Sequence, residues 1–451
     1  MKRLLITALA MIFVLGAFGQ AQAIEFRAKG DWQLGINAVK NPTFDSDDEV
    51  DEFMGTTRVR TTFEFIANEN LRGVMRINSN DRTWGADGIG REQGSFEYDR
   101  AYLDYFIPGT NIHMQVGKQG LTIPNTLGSH IFDDDIWAVN SFTPLHENVG
   151  LVLSWARAND MFEAGPNKND EIDAFLTILP INMDGLQLQP FGIYGMKGQG
   201  AFANADVFPY VDGESRTSSH VYWGGINFTA DLFDPLVLSG DFNYGRHSSN
   251  ITGDTVGEET RGWIAALAAE YHTDHFTPEL FLMYESGHSS SFTGKDGNTR
   301  GRVMPFISGD LHRVSSFGMS GSQLRGIGRA ALDGYAGINS FGPSGKMAIG
   351  AGVRDLSLLD NVTHDMQLTY YQGTNHRDLR ALGTEMDEIY FTTRDMAWEF
   401  TLDTQYQMYE NLAAILELGY LAPSLSSGGD RDPDIQDDDA WKAATGLRFQ
   451  F

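Results

Sequence analysis

Glu25-Phe26-Arg27-Ala28-Lys29-Gly30-Asp31-Trp32-Gln33-Leu34-Gly35-Ile36-Asn37-Ala38 alternates in character along its length. Phe26, Ala28, Gly30, Trp32, Leu34, Ile36 and Ala38 share one parity. Glu25, Arg27, Lys29, Asp31, Gln33 and Asn37 share the other. Successive side chains of a β-strand point to opposite faces, so this stretch reads as a long strand with one apolar face. The same period recurs downstream. Val59, Thr61, Phe63 and Phe65 alternate with Arg58, Arg60, Thr62 and Glu64. Ala101, Leu103, Tyr105 and Ile107 alternate with Arg100, Tyr102, Asp104 and Phe106. Leu236 to Tyr244, Trp263 to Tyr271 and Trp398 to Tyr406 follow the rule, and the chain ends on Trp441, Ala443, Thr445, Leu447, Phe449 and Phe451.

Segment length separates the two folds that alternate in this way. Strands of a soluble β-sandwich average about 5–6 residues. These segments run about 9–12, the length a tilted strand needs to cross a bilayer. The connections also alternate, with tight turns such as Asn68-Glu69-Asn70 and Asn182 to Gly185 between long loops such as Lys197 to His220 and Gly287 to Gly345. Tight turns on one side and long loops on the other mark a transmembrane barrel. Trp32, Tyr244, Tyr271, Tyr284, Trp398 and Tyr420 stand near strand ends, where an interfacial aromatic girdle belongs.

Composition narrows the choice further. The 451 residues contain no cysteine, which removes disulfide scaffolds, cysteine nucleophiles and thiolate metal sites. The formal charge of −27 disfavours nucleic acid as a partner. Lys2 and Arg3, the apolar run Leu4 to Phe18 and Ala21-Gln22-Ala23 form a secretory leader, with cleavage expected after Ala23. Residues 1–23 are therefore expected to be a signal peptide, and 24–451 a single transmembrane barrel domain. Seventeen segments are clear. A strand near Ile136 to Ser141, turning at Pro144-Leu145-His146, brings the count to 18; assigning 149–156 to an inserted loop brings it to 16. The expected fold is all-β, a transmembrane antiparallel β-barrel of 16–18 strands, with 18 preferred because a closed barrel of this kind needs an even number.

Asp99-Arg100-Ala101-Tyr102-Leu103-Asp104-Tyr105, the short turn after it, and Met114-Gln115-Val116-Gly117-Lys118-Gln119 together resemble a strand pair of the trimeric outer-membrane porins of Gram-negative bacteria, most closely those of sulfate-reducing species. The terminal Arg448-Phe449-Gln450-Phe451 is similar to the aromatic end that the barrel-assembly machinery reads, with Phe451 as the assembly signal. The resemblance implies a homotrimer, an inward-folded loop after Gln119, and passive diffusion of ions and small hydrophilic solutes. It also implies lipid and lipopolysaccharide as surroundings.

Strand parity locates the charges of such a channel. Arg58, Arg60, Arg76 and Arg100 sit opposite the apolar parity of their strands. At mid-bilayer on the lipid face each would cost about 2–4 kcal/mol, a penalty absent in a wet lumen. The resemblance gives this ladder a role in a constriction, facing the loop after Gln119 with Asp133, Asp134 and Asp135, and Glu147 beyond. Opposite charges across a narrow point orient dipolar solutes and filter ions. Charges there are screened less than mouth loops, so a weak lean toward anions is expected despite the acidic total.

Other signals carry little. Asp430-x-Asp432-x-Asp434 begins like a calcium loop but has Ile435 for the glycine and Trp441 for the final glutamate. No cofactor is expected beyond weak divalent-cation bridging at acidic loops. Gly342-Pro343-Ser344-Gly345-Lys346 lacks the rest of a phosphate loop, and no G-x-S-x-G elbow occurs. An outer-membrane phospholipase, a plug-type active transporter and a non-conducting structural barrel are weaker readings. A substrate-specific channel is the main alternative to a general porin.

Overall fold

The computed structural model describes residues 24–41, 52–79, 82–85, 96–160, 171–198, 218–250, 259–290, 300–308, 313–314, 344–382, 391–425 and 439–451. The expected leader lies outside them, as do Asp430, Asp432 and Asp434.

The chain winds antiparallel from strand to strand and closes on itself. The wall strands are β1 (Glu25–Lys40), β2 (Glu52–Asn68), β3 (Leu71–Asn78), β4 (Glu97–Phe106), β5 (His113–Thr122) and β6 (Asp133–His146). They continue with β7 (Val149–Asp160), β8 (Glu171–Ile178, resuming as Ile181–Met183), β9 (Leu186–Lys197), β10 (Ser218–Phe233), β11 (Leu236–Asn250) and β12 (Glu259–Tyr271). The circuit ends with β13 (Thr277–Glu285), β14 (Lys346–Leu359), β15 (Val362–Gly373), β16 (Met396–Tyr409), β17 (Leu412–Ser424) and β18 (Ala440–Gln450). The 21 hydrogen-bonded segments make an 18-strand wall, because two are two-residue side pieces and one strand is split at Leu179-Pro180. The even count of 18 arises as expected, because the region around Ile136 is the full strand β6, but Pro144-Leu145-His146 continue that strand in register with Gly150 and Val149, and the turn falls at Glu147-Asn148. β1 pairs with β18 from Asp31↔Gln450 to Lys40↔Trp441, which completes the cylinder. Phe451 seals that seam: its amide donates to the Gly30 carbonyl at 3.2 Å, and its carbonyl accepts from the Gly30 amide at 2.9 Å.

The period-two pattern produces this wall directly. Cross-strand partners share a face, so Gln33↔Arg58, Thr62↔Arg76 and Arg76↔Arg100 place the polar parity of β1–β4 on one side. The other side carries exposed Phe26, Leu34, Phe65, Met75 and Leu103. Exposed large apolar residues continue outward around the whole barrel, through Leu153, Phe175, Ile226, Phe242, Leu267, Leu282, Ile349, Phe400, Leu418 and Leu447. A closed apolar belt of this kind is stable against hydrocarbon rather than water. Near the loop ends of the strands it carries contacting rings: Tyr194 with Tyr222 at 5.0 Å, Trp263 with Tyr284 at 5.1 Å, Tyr370 with Trp398 at 5.0 Å.

The lumen departs from the simple alternation. On β8–β13 both parities are largely apolar, as in Trp263-Ile264-Ala265-Ala266-Leu267-Ala268-Ala269. Inward Leu176, Phe191, Ile193, Trp223, Ile264, Phe281 and Met283 are buried, and they pack against Ile123, Leu127, Ile131 and Phe132 from the β5–β6 connection and Met304 and Val314 from the β13–β14 connection. Each such aliphatic or aromatic side chain removed from water contributes about 1.5–3 kcal/mol. A second core therefore fills part of the interior, and the inward side chains there meet protein instead of water.

Candidate channel lumen

The β5–β6 hairpin leaves the wall at Gly117. Pairing of β4 with β5 ends at Ala101↔Lys118, while pairing of β5 with β6 continues to Thr122↔Asp133. Gly117 has φ +135°, and a Cβ there would lie 2.3 Å from the Ala101 carbonyl oxygen. Only glycine tolerates both the dihedral and the close approach, so β5 twists away from β4 at this residue. The freed arm bends inward, and the face it shared with the outside of the wall now meets the arginines of β3 and β4. Gly120 on that face leaves space for the Arg100 guanidinium.

Asp133, Asp134 and Asp135 consequently open β6 instead of lying in the loop, because the hairpin stays paired through them. They point to different partners. Asp135 accepts from Arg76 Nη2 at 2.5 Å and from Arg100 Nε at 2.6 Å. Asp133 accepts from the Thr122 hydroxyl at 2.7 Å, and Asp134 accepts from the Ser308 hydroxyl at 3.3 Å. Glu147 lies in the tight turn at the opposite end of β6, away from the arginines. Arg76 and Arg100 thus touch the arm directly and clamp it.

A further carboxylate joins this cluster through a bulge. The register shifts between Arg76 and Ile77, leaving Asp99 unopposed on β4. The extra residue turns Asp99 inward, where it accepts from Arg76 Nε at 2.7 Å and lies 3.8 Å from Arg60 Nε. Arg58 is buried beside Gln33 in register. The four guanidinium groups Arg58, Arg60, Arg76 and Arg100 share the wall with the two carboxylates Asp99 and Asp135, an excess of positive charge. Arg60 makes no hydrogen bond among the described residues, and its side chain is 34% exposed to the lumen.

The arm crosses the interior. At its tip the Thr126 amide donates to Asp241 Oδ2 on β11 at 2.8 Å, and Asn227 Nδ2 on β10 donates to the Thr126 hydroxyl at 3.1 Å. The β13–β14 connection folds in beside it. Ile307 and Ser308 amides donate to the Ile131 carbonyl at 2.9 and 3.1 Å, and the Arg313 amide donates to the Leu127 carbonyl at 3.3 Å. Trp223 Nε1 donates to the Pro305 carbonyl at 2.6 Å. Arg313 Nη2 reaches Glu270 at 2.6 Å and Glu279 at 2.8 Å, and Arg354 meets the same two carboxylates at 2.7 Å each. Two inserted segments therefore form one body, pinned by charge to β3–β4 on one side and to β12–β14 on another.

The remaining lumen, along β1–β4 and β15–β18, is charged. Asp31 pairs with Arg448 at 2.7 Å, Lys29 with Glu64 at 2.7 Å and Arg72 with Asp104 at 2.8 Å. Asp365, Asp403 and Glu417 stand side by side on adjacent strands, with Lys442 3.1 Å from Glu417. Sequence reading did not single out these carboxylates, or Asp99, Glu270, Glu279 and Arg313. Parity alone would have placed Asp403 and Glu417 in the lumen; the partners of Arg313 follow only from how the long connection folds back.

No family model matches the chain, and no curated protein matches it by sequence. Solved structures do match its shape. Pseudomonas aeruginosa OccK11 (OpdR) is similar at 10% identity over 94% of this chain and 96% of that one, with a TM-score of 0.54. Pseudomonas aeruginosa OpdO is similar at 10% identity over 95% of this chain and 97% of that one, TM-score 0.54. Acinetobacter baumannii OccAB1 is similar at 11% identity over 94% and 97%, TM-score 0.51. The chain has the fold of the 18-strand outer-membrane porins.

Proposed function

We propose that the protein is a passive diffusion channel of the Gram-negative outer membrane, carrying ions and small hydrophilic solutes along the charged side of the lumen with a weak lean toward anions. One observation carries the lean: four guanidinium groups face two carboxylates where the inward arm meets the wall, and Arg60 is partly exposed there without a hydrogen bond among the described residues. Positive charge in a narrow, poorly screened passage favours anions over the effect of distant acidic loops. Arg58, Arg60, Arg76, Arg100 and Asp135 are the constriction residues in this reading, while Asp133 and Asp134 are not in contact with them. Planar-bilayer recording of purified protein in a salt gradient tests it. A reversal potential of anionic sign that moves toward cations in Arg58→Ala and Arg60→Ala supports the reading; strong cation preference in the wild type overturns it.

A substrate-specific channel is the second reading. The two inserted segments that fill part of the interior favour it, since a narrowed passage discriminates solutes by shape and charge. Block of the single-channel current by one solute class at low concentration would select it. A homotrimer is supported by small outward residues on β1–β4, namely Ala28, Ala38, Gly73 and Ala101, which permit close subunit approach. The narrower likeness to porins of sulfate-reducing bacteria rests on the β4–β5 hairpin alone. Phe451, 43% exposed at the seam, is accessible as an assembly signal.

A further inference from the structure

Gly342-Pro343-Ser344-Gly345-Lys346 lacks the rest of a phosphate loop, yet its last three residues cradle an anion, and that anion belongs to the chain itself. Glu285 Oε2, at the end of β13, accepts from three successive backbone amides at the start of β14: Ser344 at 2.8 Å, Gly345 at 2.9 Å and Lys346 at 3.2 Å. Successive amides converge on one point when a residue among them takes the left-handed conformation, and Gly345 has φ +83°. Lys346 Nζ adds a positive charge 3.7 Å from Glu285 Oε1, and both side chains are buried. Oε1 itself makes no hydrogen bond among the described residues.

The cradle is held by groups other than the carboxylate. The Thr374 amide donates to the Gly345 carbonyl at 2.8 Å. Asn375 Nδ2 donates to the Ser344 carbonyl at 2.8 Å and to the Phe391 carbonyl at 3.0 Å. These bonds from the β15–β16 connection fix the backbone of Ser344 and Gly345, so the amides stay aimed at one point whether or not an anion sits there. The location also matters. The β13–β14 ladder ends at Tyr284↔Met347, so the Glu285 contact is the next rung and joins the entry of the β13–β14 connection to its exit. That connection enters the lumen, where its Ile307 and Ser308 amides bond the arm and its Val314 carbonyl accepts from Gln367 Nε2 at 2.8 Å and from the Tyr371 hydroxyl at 3.1 Å.

We propose that Ser344-Gly345-Lys346 is an oxyanion site filled by the tethered carboxylate of Glu285, and that this clasp keeps the β13–β14 connection folded into the lumen. The ligand class follows from the occupant: a small free carboxylate takes its place when the tethered one is removed. The effect on current rests on the channel reading above, and the site itself does not. The test uses full-length Glu285→Ala in detergent, with sodium formate against sodium chloride at equal ionic strength. Hydrogen exchange at the Ser344, Gly345 and Lys346 amides should rise about tenfold in the variant, the scale of one lost charge-assisted contact. Formate should bring the exchange back toward the wild-type rate. It should also quiet a single-channel current that the variant makes larger and noisier. The wild type, whose site is filled, should ignore formate. Glu285→Gln keeps an acceptor without the charge and should exchange faster than the wild type. Formate without effect on Glu285→Ala, an equal response of the wild type, or wild-type exchange in Glu285→Gln overturns the oxyanion site. Formate-reversible exchange with an unchanged current overturns the role of the clasp in the lumen. Should Glu285→Ala fail to assemble, refolding yield becomes the readout, and equal yields in formate and chloride overturn the site. A protein that exchanges as expected but conducts nothing, wild type included, refutes the channel reading alone.

Discussion

The two sides of the lumen are built on opposite principles. Along β8–β13 inward side chains such as Phe191, Trp223, Ile264 and Met283 are buried against inserted backbone, as in a soluble core. Along β1–β4 and β15–β18 inward side chains are charged and pair with each other across strands, as Asp31 with Arg448 and Lys29 with Glu64. The belt outside is the same on both sides. A barrel interior is therefore wet only where its inward parity is polar. Where both parities are apolar, the chain must supply protein to cover the inner face, and here it supplies the β5–β6 arm and part of the β13–β14 connection. The difference divides the molecule into a filled side and a charged side.

Trp223→Ala gives the largest expected break in that division. It empties a buried indole site on the filled side and removes the hydrogen bond to Pro305. The expected cost is about 3–5 kcal/mol, read as a shift of the urea midpoint for the folded barrel. Gln405→Ala on the charged side removes a hydrogen bond to Gln407 and should stay within about 0.5 kcal/mol. Equal costs for the two would erase the distinction between the halves.

Asp135→Ala acts on the boundary between the halves. It leaves Arg76 with Asp99 alone and takes the hydrogen-bonded carboxylate from Arg100. Breaking a fully buried pair costs about 3–5 kcal/mol, but the Arg100 side chain is 37% exposed and solvent compensates part of the loss. About 2 kcal/mol is expected. The arm should also swing more freely, so single-channel current should become larger and noisier, and the anion lean should deepen as a negative charge disappears. A quiet current of wild-type size would show that Thr126 and Arg313 hold the arm without the clamp.

Arg60→Ala should scarcely change stability, within about 0.5 kcal/mol, because its nearest carboxylate lies 3.8 Å away and its side chain is partly exposed. Its expected effect is on transport, as a displacement of the reversal potential toward cations. An unchanged potential would move the selective point away from the β2–β4 wall.

How much of this was legible in the chain depends on the range of the interaction. Alternation fixes which face of β1, β2 and β4 meets lipid, since it is set by neighbours one residue apart. It therefore located Arg58, Arg60, Arg76 and Arg100 in the lumen without any tertiary information. The strand count at β6 was readable with more effort, because Ile136, Ala138 and Asn140 on the inward parity blur the period. The clamp was not readable. Asp135 lies on the same parity as outward Trp137, and it reaches the arginines only because Gly117 lets the hairpin bend. The filled half did leave a signal that parity counting passes over: seven consecutive apolar residues from Trp263 to Ala269, unnecessary for a strand with a wet inner face. Asp99 is hidden for a third reason, since a bulge reverses the face that alternation assigns to it.

The smallest expected effect concerns the loop hub above the filled half, and it distinguishes the halves by acid sensitivity. His288 follows β13, is buried, and accepts from the Arg302 amide through Nδ1 at 3.1 Å. Its own amide donates to Asn375 Oδ1 at 2.8 Å, tying the β13–β14 and β15–β16 connections together. Burial pushes its pKa down to about 4 from the ordinary 6.5. The sign follows from the depressed value. As pH falls through 6.5 an opened hub takes up a proton that the closed hub refuses, so the closed form loses stability between pH 6.5 and 4 and no further below. Amides of residues 286–288 and 374–376 should therefore exchange faster at pH 5 than at pH 7, after correction for intrinsic rates, while β1 and β2 amides should not. His288→Gln, which keeps an acceptor but cannot charge, should flatten the difference. Persistence of the acid response in that variant would assign it to another group, and with it the claim that the cap of the filled half is the acid-labile part of the barrel.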